Sequence, residues 1–106
     1  MVFNPTAFGL TLARWLGPRL SPGTQVCELG LGSGVLSILA GMRRAQVTGL
    51  DYNPHAVELT RANWQANGLD GAAGDFRHSN LFEGLGEADE ARFDMVWSNP
   101  PVLPRL

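Results

Sequence analysis

The chain has 106 residues, a net charge of −2 and a pI near 5.5. That length buries a single core and no more, and an apolar fraction of 44% argues against disorder. All eight basic residues are Arg, too few to build a basic surface for gripping a phosphate backbone. The lone Cys27 excludes a disulfide framework and fits a reducing, cytoplasmic compartment, with the thiol expected in a buried strand. The N-terminus lacks a basic n-region and is interrupted by Pro5, so it predicts neither a signal peptide nor a membrane span.

In chain order, Thr6 can cap a helix that carries Phe8, Leu12, Trp15 and Leu16 at helical spacing and ends at Gly17-Pro18. "SPGTQ" is a turn, and "VCELG" is a short buried strand broken at Gly30. "VLSILAGMRR" reads as a helix with two arginines in its last turn, where they suit the helix dipole. A second strand, "AQVTGL", ends at Asp51. Asn53 caps the next helix and Pro54 takes its first position. That helix places Val57, Arg61 and Trp64 on one side and stops at Gly68. "GAAGD" reads as a loop, "FRHSN" as a weak third strand, "EGLGEADEAR" as a solvated connection and "FDMVWS" as a fourth strand. Trp15, Trp64 and Trp97 are expected in the core. Strands alternating with helices imply right-handed crossovers and a mostly parallel sheet. The predicted fold class is α/β, the N-terminal half of a Rossmann-like, doubly wound parallel sheet of about four strands. It forms one domain over residues 1–106, with residues 1–20 as a preceding helical region.

"ELGLGSG" follows the first strand, and its Gly30, Gly32 and Gly34 are spaced G-x-G-x-G. Glycines there permit a sharp turn and close approach of a ligand to the backbone at a helix N-terminus. A dinucleotide fingerprint needs a glycine where Val35 stands, which disfavours a pyrophosphate cofactor. The chain also lacks any Lys for a reductase's Tyr-Lys pair. Glu28 beside the loop would repel a pyrophosphate and suit a cationic amino group. Asp51, ending the second strand, can accept the hydroxyls of a ribose. Each acid read alone is an ordinary loop carboxylate; together they call for one ligand with a ribose and a charged amino-acid end.

At these residues the chain resembles the class I S-adenosylmethionine-dependent methyltransferases. "VCELGLGSGVLSI" is similar to that family's first motif, "VTGLDYNPHAVELTRANWQANGL" to its second, "HSNLFEGL" to its third and "FDMVWSNPP" to its fourth. The four are in the family's order and cover almost the whole chain. The resemblance implies S-adenosylmethionine as cofactor and S-adenosylhomocysteine as product. It implies that Gly30, Gly32 and Gly34 cradle the methionine part, that Glu28 orders the loop, and that Asp51 takes the ribose. Tyr52 and Asn53 would lie beside the adenine, and Asn80 and Leu81 at its edge. Asn80 stands where the family commonly has Asp, which would weaken binding by about 1 kcal/mol.

Asn99-Pro100-Pro101 narrows the resemblance to enzymes that methylate nitrogen on a planar group: a protein glutamine or a nucleic-acid base. Such a nitrogen is a poor nucleophile because its lone pair is delocalised. The Asn99 side-chain oxygen and the Pro100 carbonyl could each accept an N–H, directing the lone pair at the methyl group. Pro100 and Pro101 hold the acceptors with a fixed φ, and no acid–base residue is needed. The family usually has an aromatic residue next; here Val102 would forfeit roughly 1–3 kcal/mol of stacking on a base. His55 and His78 lack companions at ligand spacing, so no metal is expected.

The expected activity is methyl transfer to an amide or base nitrogen of a protein, nucleic acid or small molecule, with no membrane partner. The alternative is a non-catalytic cofactor-binding or interaction module derived from such an enzyme. Complete members of this fold continue well past Asn-Pro-Pro and cover the fourth strand. The expectation is therefore a fragment, or else a second chain pairing on that strand's edge.

Overall fold

The structure is a computed structural model that describes residues 14–98. The greater part of the helix expected around Phe8 and Leu12 lies outside those residues, as do Asn99, Pro100 and Pro101. Residues 14–16 are helical and run into a 3-10 turn at Gly17–Arg19. The elements that follow are β1 (Gln25–Leu29), α1 (Val35–Met42), β2 (Gln46–Asp51), α2 (Pro54–Ala66), β3 (Gly74–His78) and β4 (Met95–Ser98). All strand pairs are parallel and the order is β3-β2-β1-β4. The chain thus steps outward from β1 to β3, then crosses back to the other side of β1. That reversal is the switch point at which open α/β sheets bind ligands.

The strand faces divide the work. Glu28, Gly49 and Phe76 stand in register on one face. Helices α1 and α2 cover it, with the Trp64 ring of α2 edge-on to Phe76 at 5.3 Å between centroids. Gly49 and Gly74 lack a Cβ because one there would strike Leu31 and Phe76, or Trp64. On the opposite face Cys27 and Thr48 stand in register, and the irregular connection from β3 to β4 covers them. The core joins Leu16, Val26, Leu36, Val47, Val57, Trp64, Phe76 and Trp97. Burying these side chains contributes about 1.5–3 kcal/mol each.

That connection departs from the solvated loop expected. It folds into 3-10 turns at Leu81–Gly84 and Glu87–Asp89, and Asp89 is buried. The Asp89 carboxylate accepts from Arg77 at 3.0 and 3.3 Å, and Arg92 lies 2.9 Å from it. Arg92 also donates to the Thr48 hydroxyl on β2 at 2.9 Å. The Arg77 guanidinium and the Gly86 amide hold the Asp89 carboxyl down at about 2. At the far end, the Asp94 amide donates to the Gln25 carbonyl at 2.7 Å, and its carboxylate accepts from the Gln25 amide at 2.8 Å. This double clasp fixes β4 against β1.

Three further expectations shift. Helix α1 ends at Met42, so Arg43 is its cap and Arg44 sits outside at φ +63°. Strand β3 begins two residues early, because Gly74 and Asp75 pair with Val47 and Thr48. Trp15 is 50% exposed rather than core, its ring under the Arg19 guanidinium at 3.8 Å. Trp64 and Trp97 are buried as expected, and Cys27 is too, with burial pushing its thiol up to about 11.

Candidate functional site

The site residues within the described range converge on the carboxyl ends of β1, β2 and β3. Gly30, Gly32 and Gly34 all adopt positive φ, at 82°, 59° and 82°. L-residues with side chains avoid that region, so the loop presents bare backbone. A Cβ at Gly32 would meet nothing within 4 Å, which leaves the space above it open to a ligand. Gly34 is the N-cap of α1, and no side chain caps the helix there. Its own amide donates to the Leu31 carbonyl at 2.8 Å, closing the turn.

Asp51 holds this loop. One carboxylate oxygen accepts from the Leu31 amide at 2.7 Å and the Gly32 amide at 3.3 Å. The other accepts from the Asn53 amide at 2.8 Å. A carboxylate offers about four acceptor positions, so these three bonds leave capacity for a further donor. Asn53 in turn caps α2, its side-chain oxygen accepting from the His55 amide at 2.9 Å, as its place before Pro54 predicts. Tyr52 points outward at 72% exposure, and its carbonyl lies 2.7 Å from His78 Nε2.

Glu28 lies beneath the loop, 1% exposed. Ser37 of α1 donates its hydroxyl to Glu28 Oε1 at 2.6 Å. Burial lifts the Glu28 carboxyl to about 7; Ser37 and the Trp97 indole pull it down, and the nearby Asp51 charge pushes it up. The Trp97 N–H acts on this carboxylate, yet it closes no hydrogen bond of ordinary geometry.

Asn80 and Leu81 occupy the turn after β3. The Ser79 amide donates to the Asp51 carbonyl at 2.9 Å, which carries this turn alongside Asp51. Leu81 is 63% exposed at φ +53°, unusual for a branched side chain. Ser79 holds it so: its hydroxyl donates to the Leu81 carbonyl at 2.7 Å and accepts from the Gly84 amide at 2.7 Å. Arg77 also donates to the Gly84 carbonyl at 2.9 Å. Ser37, Ser79, Arg77 and Trp97 were not among the sequence candidates. A Ser at a strand end before a turn is a signal for Ser79; the others depend on distant partners that no local pattern announces. Among the described residues, no group of three or more His, Cys, Asp or Glu is placed to hold a metal ion. No helix there is long and apolar enough to cross a membrane.

A parallel sheet reversing at β1, with a glycine loop and an acid at adjacent strand ends, defines the Rossmann-like class to which methyltransferase domains conform. The family model of the methyltransferase small domain matches residues 11–105, and the chain belongs to that family. The ribosomal protein L11 methyltransferase of Thermosipho africanus is 39% identical over 88 residues, covering 82% of this chain and 31% of its own. The release factor glutamine methyltransferase of Aliivibrio fischeri is 36% identical over 88 residues, covering 80% of this chain and 30% of its own. Among solved structures, the 16S rRNA N2 G1207 methyltransferase of T. thermophilus, in complex with AdoMet and guanosine, superposes with a TM-score of 0.77 and 32% identity. It covers 96% of this chain and 27% of its own. The chain therefore spans about a third of the length of the curated relatives it matches.

Proposed function

We propose that this chain forms the S-adenosylmethionine-binding part of an N-methyltransferase. The observation that carries the reading is Asp51, which gathers the positive-φ glycine loop and the start of α2 around one carboxylate with acceptor capacity remaining. The residues fit the cofactor. The backbone from Gly30 to Gly34 offers an open cradle for its amino-acid end. Asp51 is the acceptor for its ribose, and Tyr52, Asn53, Asn80 and Leu81 flank the adenine. Asp51 at the mouth, with Glu28 beneath the loop whenever it is ionised, gives a field that favours a cationic ligand. When bound, the cofactor supplies an electrophilic methyl group on a sulfonium.

The chain's own contribution to transfer is orientation. In this reading Asn99 and Pro100 accept the N–H groups of the incoming nitrogen, and Pro100 and Pro101 restrict the backbone that holds them. The acceptor is a nitrogen on a planar amide or base, the chemistry shared by the glutamine and guanosine enzymes among the relatives. Work in the cytoplasm suits the buried reduced Cys27. The edge of β4 away from β1 is where a further segment or second chain would complete the sheet.

Calorimetric titration with S-adenosylmethionine and S-adenosylhomocysteine tests the reading, with Asp51→Asn as the paired variant. Asn keeps one acceptor oxygen, so the loop retains part of its anchoring. The expected result is saturable binding to the wild type that weakens at least tenfold in the variant. A folded chain that binds neither ligand refutes it.

A further inference from the structure

The Trp97 indole Nε1 is buried and acts on the Glu28 carboxylate, yet it closes no hydrogen bond of ordinary geometry, which is rare for so strong a donor. Trp64 shows the usual solution, donating its indole N–H to the Asp70 carbonyl at 2.9 Å. Trp97 stands in register with Glu28 across the β1–β4 pair, on the face that α1 covers.

We propose that Trp97 is a positioning residue whose indole N–H closes a full hydrogen bond to Glu28 when that carboxylate is ionised, so that charge at the glycine loop is coupled to a side chain of β4. The half of this inference that concerns the bound ligand rests on the cofactor reading above; the pairing of Glu28 with Trp97 does not.

The groups around Glu28 make such a switch workable. From α1 comes Ser37, whose hydroxyl bonds one carboxylate oxygen and serves either protonation state. From β2 comes Asp51, the charged group acting on Glu28, which disfavours a second negative charge beside it. From β4 comes Trp97, a donor beside the carboxylate whose bond to it is not closed. The arginines lie elsewhere: Arg77 and Arg92 act on Cys27, whose side chain takes the opposite face of β1. Burial holds the Glu28 carboxyl near 7, between its two states. A protonated Glu28 is a weaker acceptor for the indole than the carboxylate. A cation bound at the loop, above Glu28 and beside Asp51, favours ionisation; the proton leaves to solvent and the carboxylate becomes the stronger, charged acceptor for the Trp97 indole.

NMR of the chain labelled with 15N-indole tryptophan reads this directly. Trp97→Phe assigns the resonance. In the ligand-free wild type, the Trp97 indole signal is expected to titrate with a midpoint near 7 while that of Trp64 stays flat. Glu28→Gln keeps the shape and the Ser37 bond but cannot ionise, and it should abolish the titration. A Trp97 signal that does not move between pH 5 and 9, or that still moves in Glu28→Gln, overturns the proposal. At pH 6, S-adenosylmethionine should drive the wild-type signal to its high-pH position. Saturable binding with no such change overturns the coupling. An intact titration with no binding at all supports the pair and refutes the cofactor reading instead.

Discussion

Replacing Gly34 with alanine separates two demands that the glycine loop makes on its backbone. At φ +82° an alanine suffers the left-handed penalty of about 1–2 kcal/mol. Its Cβ would also lie 2.5 Å from both Cγ2 and Oγ1 of Thr60, and 2.8 Å from Thr60 Cβ. Thr60 is fully buried on α2, so it has nowhere to turn, and overpacking of this kind adds about 1–3 kcal/mol. Gly34→Ala should therefore destabilise the chain by about 2–5 kcal/mol. Gly32→Ala is the internal control. Its φ is +59° but a Cβ there meets nothing within 4 Å, so it should lose about 1–2 kcal/mol. Thr60→Ala in the Gly34→Ala background removes the two closest atoms and should restore part of the difference, though Thr60 Cβ remains. Urea unfolding followed by far-UV circular dichroism gives the midpoints. Equal losses at Gly34 and Gly32, or no recovery in the double variant, would refute the claim that packing of α2 against the loop sets the cost.

Glu28 makes stability depend on pH. Its raised carboxyl contributes stability that is fully present below 4.5 and is lost as pH rises through about 7, a difference of about 3 kcal/mol. Glu28→Gln should remove that slope, and denaturant midpoints at pH 5 and pH 8 that fall equally for both proteins would contradict it. Asp89 works in the opposite sense: its carboxyl, held at about 2, contributes stability present above 3.8 and lost as pH falls through 2. Asp89→Asn should flatten the acid limb of the stability profile, as thermal melts between pH 2 and 5 would show. Leu81→Gly relieves a left-handed backbone and should be neutral or stabilising by up to about 1 kcal/mol. A clear loss of melting temperature in that variant would mean the Leu81 side chain, not the Ser79 clamp, maintains the turn.

Much of the fold was readable because its signals are local. The Asn53-Pro54 start of α2, the glycine loop and the strand ending at Asp51 each follow from residue types whose backbone preferences act within a few positions. What could not be read depends on partners remote in the chain. Asp89 belongs to an acidic stretch that looks solvated until Arg77 and Arg92 close on it. Helix α1 ends earlier than its sequence predicts because Arg44 takes the left-handed position that glycine usually fills, and the Ala45 amide then bonds back to the Ala40 carbonyl at 3.1 Å. At the site, the glycines and both acids carried their own chemistry in the sequence. The indole of Trp97 did not, because its meaning arises only from the β1–β4 register.

The Asp94 clasp on Gln25 has a consequence for which insertions this protein can survive. Alternate residues of β4 face opposite sides of the sheet, so moving it by one place would put Val96 where Trp97 sits. An added residue between Asp94 and Trp97 would do that, and a deleted one would put Ser98 there instead; either turns the indole away from Glu28 and shifts everything downstream by one position. The same change at the exposed tip near Glu87, ahead of the clasp, leaves the alignment of β4 untouched. Length variation among descendants of this sequence should therefore collect before Asp94 and stop there.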